Sequence, residues 1–119
     1  MRYPLPHPSN PPKTLGLLQG TVDVLLLRTL SWAPMHGYAV SRWISDRSEG
    51  ALVVEDAALY QALHRLERKG LVESEWGISE KNHRAKYYSL TPAGRRQLKT
   101  EVAELRHYMA VLFEVLDPA

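Results

Sequence analysis

Cysteine is absent from this 119-residue chain. That removes disulfides, thiol catalysis and cysteine-type zinc sites, and a reducing compartment, the cytoplasm, is the expectation. Nowhere do the roughly 20 uninterrupted apolar residues that cross a bilayer occur, so no membrane partner is expected. The opening MRYPLPHPSN has no apolar signal core, and export is not expected either. Signatures of chemistry are equally thin. His7, His36, His64, His83 and His107 form no His-x-x-x-His pair or carboxylate-spaced ligand set. Ser41, Ser45 and Ser48 lack a nucleophile elbow and a partner base. GLLQG holds two glycines but follows no strand, so it is not read as a phosphate loop. The chain therefore reads as a non-enzyme without metal or cofactor.

Net charge is also nearly missing, at +2 from 15 Lys+Arg against 13 Asp+Glu. Its distribution is less even. Between Ala57 and Arg96 stand eight basic and four acidic residues, while the segment before is neutral and the end acidic. A cationic middle points to a polyanionic partner.

What is present is a succession of punctuated segments. Pro4, Pro6, Pro8, Pro11 and Pro12 mark residues 1–14 as a disordered arm. From Leu17, the apolar positions Leu18, Val22, Leu25, Leu26, Leu30 and Trp32 predict a buried helix that Pro34 ends. HGYAVSRWISDRS predicts a second helix with Tyr38, Ala39, Trp43 and Ile44 inward, and His36 at its start. ALVV reads as a brief extended stretch. A third helix begins with Asp56 as N-cap and closes at Gly70. LVESEWG and AKYYSLT, separated by the polar ISEKNHR, predict a hairpin. Thr91 and Pro92 then open a last helix that runs to about Leu116. The fold class is mainly α with a small antiparallel β-hairpin. Helix, helix, helix, hairpin is the order of a winged helix-turn-helix over residues 15–91, with a C-terminal dimerisation helix over 92–119.

The third helix carries the functional expectation. Leu59, Ala62, Leu63 and Leu66 make its inward stripe, which leaves Tyr60, Gln61, His64, Arg65 and Arg68 outside it. Gln pairs with adenine edges, Arg with guanine or phosphate, and Tyr with phosphate. Any amphipathic helix has a polar face. The combination with a following charged tip, Lys81, Asn82, His83, Arg84 and Lys86, is what points to double-stranded DNA, with the tip placed as a wing.

LLQGTVDVLLLRTL, MHGYAV, LYQALHRLERKGLV, EWG and RAKYYSLTPAGRRQL together resemble the PadR family of bacterial transcriptional regulators, from Leu17 to Leu98. The resemblance implies a dimeric repressor of a neighbouring gene or operon, of the family's shorter branch, with DNA contacts at Tyr60 and around Arg84 and Lys86. The chain departs from the family's pattern at Ala57 and Ala58, where small hydroxyl residues are common, and at Gln61, where proline is common. Operator sequence is therefore not inherited from the family.

Leu98, Val102, Leu105, Met109, Leu112 and Leu116 step by 4, 3, 4, 3 and 4, a coiled-coil seam. Val111, Phe113 and Val115 widen it. Six such side chains are worth on the order of 10 kcal/mol gross when buried. A homodimer follows as the expectation, with Leu18, Val22 and Leu25 contributing from the first helix as the family resemblance implies. Trp32, Trp43, Tyr108 and Met109, with Met35 beside them, form a candidate effector pocket at that interface for a small apolar or aromatic molecule; an aromatic core is the plainer reading. Two alternatives stay open: a dimeric winged-helix adaptor whose basic face meets an acidic protein, and a small-molecule sensor that binds DNA incidentally.

Overall fold

The computed structural model describes residues 20–118; the proline-rich arm 1–14 and the proposed interface residue Leu18 lie outside them. Seven elements follow in order: α1 (Thr21–Leu30), β1 (Met35–His36), α2 (Gly37–Arg47), α3 (Asp56–Arg68), β2 (Val72–Ile78), β3 (Arg84–Leu90) and α4 (Pro92–Leu116). Among the described residues no helix is long and apolar enough to cross a membrane.

The run VLLL makes α1 the central element. Leu26 and Leu27 are adjacent and both fully enclosed, because α2, α3, α4 and β3 all pack on this helix. A helix apolar on several sides has to sit inside a core. Val40 and Ile44 of α2 close on it, as do Leu59, Ala62, Leu63 and Leu66 of α3, the stripe expected from the sequence. The one buried polar side chain among the described residues, Thr29, donates its hydroxyl to the Leu25 carbonyl at 2.8 Å.

Several expectations need correction. Trp32 falls two residues beyond the end of α1 and is 61% exposed, and Tyr38 also faces solvent. In α2 the inward positions are Gly37, Val40 and Ile44, one step away from the face assigned to Tyr38. Asp56 does not cap α3. It is the first helical residue, Glu55 takes the cap position, and no side chain hydrogen-bonds there. Asp56 instead places a negative charge beside the positive end of the helix dipole. The sheet has three antiparallel strands in the order β1-β3-β2, because Met35 and His36 pair with Tyr88 and Tyr87. Two residues are too few to show alternation, so β1 was invisible in the sequence.

The helix ends otherwise follow their local chemistry. His36 accepts the Ala39 N–H on Nδ1 at 3.1 Å and so caps α2. Gly70, at φ +74°, closes α3, with the Gly70 N–H bonded to the Glu67 carbonyl and the Leu71 N–H to that of Leu66. Thr91 accepts the Gly94 N–H at 3.0 Å and donates its hydroxyl to the Gly70 carbonyl at 2.7 Å, which fastens α4 to the α3–β2 turn.

That fastening changes the reading of α4. Its first turns belong to the domain core, where Gly94 and Leu98 are buried. Leu98, expected from the sequence in a dimer seam, rests in the core of its own chain, and Val22, Leu25 and Val102 are partly buried against the same core. Beyond Val102 every described residue of α4 is exposed except the partly buried Leu112. Leu105, Met109 and Leu116 are among the exposed ones, with Val115 at 79%.

Candidate nucleic-acid interface

The antiparallel register of the hairpin aims the wing. Trp76 stands opposite Lys86, Ser74 opposite Tyr88 and Ile78 opposite Arg84. Alternation along β3 puts Tyr88, Lys86 and Arg84 on one sheet face. Tyr88 is driven into the core at one end, so Lys86 and then Arg84 carry the same face outward beside α3. Burial, with Glu67 and Tyr60 nearby, pushes the Tyr88 phenol above its ordinary pKa.

Glu67 braces helix against wing. It accepts the Ser74 hydroxyl at 2.6 Å and lies 3.7 Å from the Lys86 ammonium. Further out, the Arg84 guanidinium stacks 4.5 Å above the exposed Trp76 ring. The platform holds a planar cation in a fixed place without neutralising it.

These groups enclose a concave surface of about 520 Å³ between α3 and the wing. From α3 it takes Tyr60 and His64, from the wing Trp76, Arg84 and Lys86, and from the start of α2 His36, Gly37 and Tyr38. Four residues expected to contact DNA therefore converge. Gln61 and Arg68 are exposed on α3 outside this concavity. Lys81, Asn82 and His83 are exposed at the hairpin tip, where Asn82 takes the left-handed conformation at φ +60°. The tip leans back on α2: Glu80 lies 3.7 Å from His36, and Lys81 stands 6.0 Å from the Tyr38 ring centre.

Arg65 is engaged elsewhere. Its guanidinium is bidentate on Asp23 of α1, with Nε 3.3 Å and Nη2 2.5 Å from the carboxylate oxygens. The hydrogen bond and charge of Asp23 raise the Arg65 pKa further. A fork already filled by a carboxylate is not presented for a base or phosphate.

Sequence reasoning missed Trp76, His36 and Tyr38 as members of the site. Trp76 had a signal, since EWG sits in a strand whose alternation matches Lys86. His36 and Tyr38 had none, because only the tertiary fold brings the start of α2 against α3. Of the candidate effector residues, Trp32 and Trp43 are neighbours at 6.4 Å, with Arg47 over both rings. Among the described residues no ring contact joins Tyr108 to them; Tyr108 and Met109 lie exposed on the distal half of α4.

Residues 26–100 match the model of the transcriptional regulator PadR-like family. Among solved structures, the fold is similar to a transcriptional regulator from Clostridium thermocellum, with a TM-score of 0.74 and 30% identity over 81% of this chain and 93% of that one. It is also similar to a PadR family transcription regulator from hypervirulent Clostridium difficile, with a TM-score of 0.71 and 30% identity over 82% of this chain and 99% of that one. A protein of Lysinibacillus sphaericus called protein X is 29% identical over 104 residues, 85% of this chain and 95% of its own length.

Proposed function

The chain belongs to the PadR-like family of transcriptional regulators, and from that premise we propose that it is a cytoplasmic homodimer that represses a neighbouring gene or operon by occupying its promoter. In this reading α3 enters the major groove with Tyr60, Gln61, His64 and Arg68. The wing reaches phosphates or the adjacent minor groove through Arg84 and Lys86, with Lys81, Asn82 and His83 at its tip. The observation that carries the reading is the convergence of Tyr60, His64, Arg84 and Lys86 on one concave, cation-bearing surface.

The dimer reading is supported by the distal half of α4, where Met109, Val111, Phe113, Val115 and Leu116 are exposed. One small domain touching a few phosphates binds weakly at physiological salt. Two such domains, with recognition helices about 34 Å apart, read a pseudo-palindrome. A small apolar or aromatic effector, seated near Trp32 and Trp43 with Tyr108 and Met109 of the dimer, relieves repression in the same reading.

Fluorescence anisotropy of the chain against DNA from upstream of its own gene tests this. Preference over scrambled duplex and a log–log salt slope of about −6, from roughly 6–8 neutralised phosphates, are expected. Equal affinity for both duplexes without salt dependence rejects DNA reading and leaves the protein-adaptor alternative.

A further inference from the structure

The wing sorts its side chains by face. Along β2, Glu73 and Glu75 alternate with Ser74, Trp76 and Ile78, and the register sets the second group on the face of Tyr88, Lys86 and Arg84. The acids of the strand thus lie on one side and the cations of β3 on the other. Trp76 and Ile78 stand among those cations, yet both are exposed. A wing face that only met water would have no use for two large apolar side chains.

Three cations near this surface are held in three ways. Arg65 is bidentate on Asp23, and Lys86 lies 3.7 Å from Glu67. Arg84 has no ion-pair partner among the described residues. Directly opposite it is Ile78, and Trp76 is its diagonal neighbour across the strands. Its guanidinium takes the diagonal and sits 4.5 Å from the centre of the indole. No acid lines the concavity that both residues border.

A ring beneath a guanidinium restrains the side chain through its face. All five donors lie in the guanidinium plane, so they stay free and the charge stays whole. A phosphate on the outside of a duplex is within reach of any long cation. A narrow groove instead favours a flat cation whose plane and position are set beforehand. A·T-rich tracts have such a minor groove, with a strengthened negative potential that draws arginine in.

We propose that Trp76 is a positioning residue for DNA reading: it holds Arg84 in the pose that enters the minor groove beside the half-site, and so gives the wing a preference for A·T-rich flanks. This role rests on the DNA-binding reading above and adds sequence preference at base pairs that α3 does not touch. The phosphates lining the groove still count Arg84 as one cation in the salt dependence, while its affinity follows groove width.

The test uses the full chain and DNA from upstream of its own gene, once footprinting has located the half-sites. Two duplexes keep those half-sites and carry either A-tracts or G·C-rich runs under the wing. Wild type should favour the A-tract flanks about fivefold in anisotropy titrations. Trp76→Ala should lose most of that preference although Arg84 is still present, and Trp76→Phe, which keeps a ring face, should retain it. Arg84→Ala should lose it as well, and adding Trp76→Ala to that variant should change nothing more. Trp76 is 59% exposed and takes no part in the buried cluster, so circular dichroism of each variant should match wild type. A merely structural Trp76 would lower affinity for both duplexes alike and independently of Arg84. That result, or a preference that survives Trp76→Ala, overturns the role. Wild type that binds both flanks equally, yet prefers its half-sites to scrambled duplex, overturns the role and leaves DNA reading standing. No preference over scrambled duplex removes DNA reading itself.

Discussion

Tyr60 of α3 occupies the space that a side chain on Gly37 of α2 would need: a Cβ there would lie 2.7 Å from the phenol oxygen and 2.8 Å from Cε1. The glycine is what lets the ring settle over the start of α2 and face the concavity. Gly37 sits at a helix start with no positive φ, so alanine is tolerated by the backbone.

Gly37→Ala should therefore leave the fold intact and displace Tyr60. Thermal unfolding within a few degrees of wild type is expected, with operator affinity reduced about fivefold, roughly the 1 kcal/mol of one hydrogen bond. Tyr60→Phe should weaken binding similarly. Unchanged affinity in both variants would remove Tyr60 from the interface.

Arg65 and Arg84 carry the same charge in different circumstances, and their removal should separate. Arg84→Ala should weaken DNA binding and reduce the salt slope by about 1, the loss of one phosphate contact. Arg65→Ala should cost a few tenths to about 1 kcal/mol of stability, as for a largely solvated ion pair, and leave the slope unaltered. Anisotropy titrations at several salt concentrations, beside urea melts, distinguish the two. A slope that falls with Arg65→Ala would mean that DNA draws this side chain away from Asp23.

Gly94 is held by backbone rather than by side chain. A Cβ there would collide with the Leu71 carbonyl oxygen and meet Leu90 Cδ1 at 2.6 Å. A carbonyl cannot rotate aside as Tyr60 can, so Gly94→Ala should push α4 off the α3–β2 turn and cost about 1–3 kcal/mol. Denaturant melts measure it, and a neutral result would mean that α4 shifts freely on the domain.

Tyr88 ties the sheet to an alkaline limit. Its phenol is raised above the ordinary value of 10.0 because burial disfavours the anion. The folded state thus keeps the proton more tightly than the unfolded chain. Stability from this group is intact below about pH 10 and declines as pH climbs through the folded-state value. Tyr88→Phe should flatten that alkaline decline, read as denaturation midpoints between about pH 9 and 11. An unchanged decline would place its origin in other groups.

Much of the fold was legible from local chemistry. The stripe Leu59, Ala62, Leu63 and Leu66, the Thr91–Pro92 start, the Gly70 stop and the two hairpin strands each follow from a period or a cap set by nearby residues. The family blocks sharpened that reading because their order and spacing hold together from Leu17 to Leu98. Where the expectation failed, the deciding neighbour was distant in sequence. Trp32 and Tyr38 look like core residues by type, yet Trp32 lies beyond the end of α1 and Tyr38 lies off the inward face of α2, so both stay exposed.

The sequence by itself determined the elements and the set of polar side chains on α3 and the wing, because helix and strand periods assign faces without reference to the rest of the molecule. Tertiary structure alone decided which of those side chains converge. It turned Arg65 to Asp23, 42 positions away, drew His36 and Tyr38 into the concavity, set Arg84 on Trp76, and spent Leu98 on its own core. The physical reason is that periodicity is a property of one segment, whereas a partner across the fold exists only once segments pack, and packing then settles which charges and apolar groups are left for another molecule.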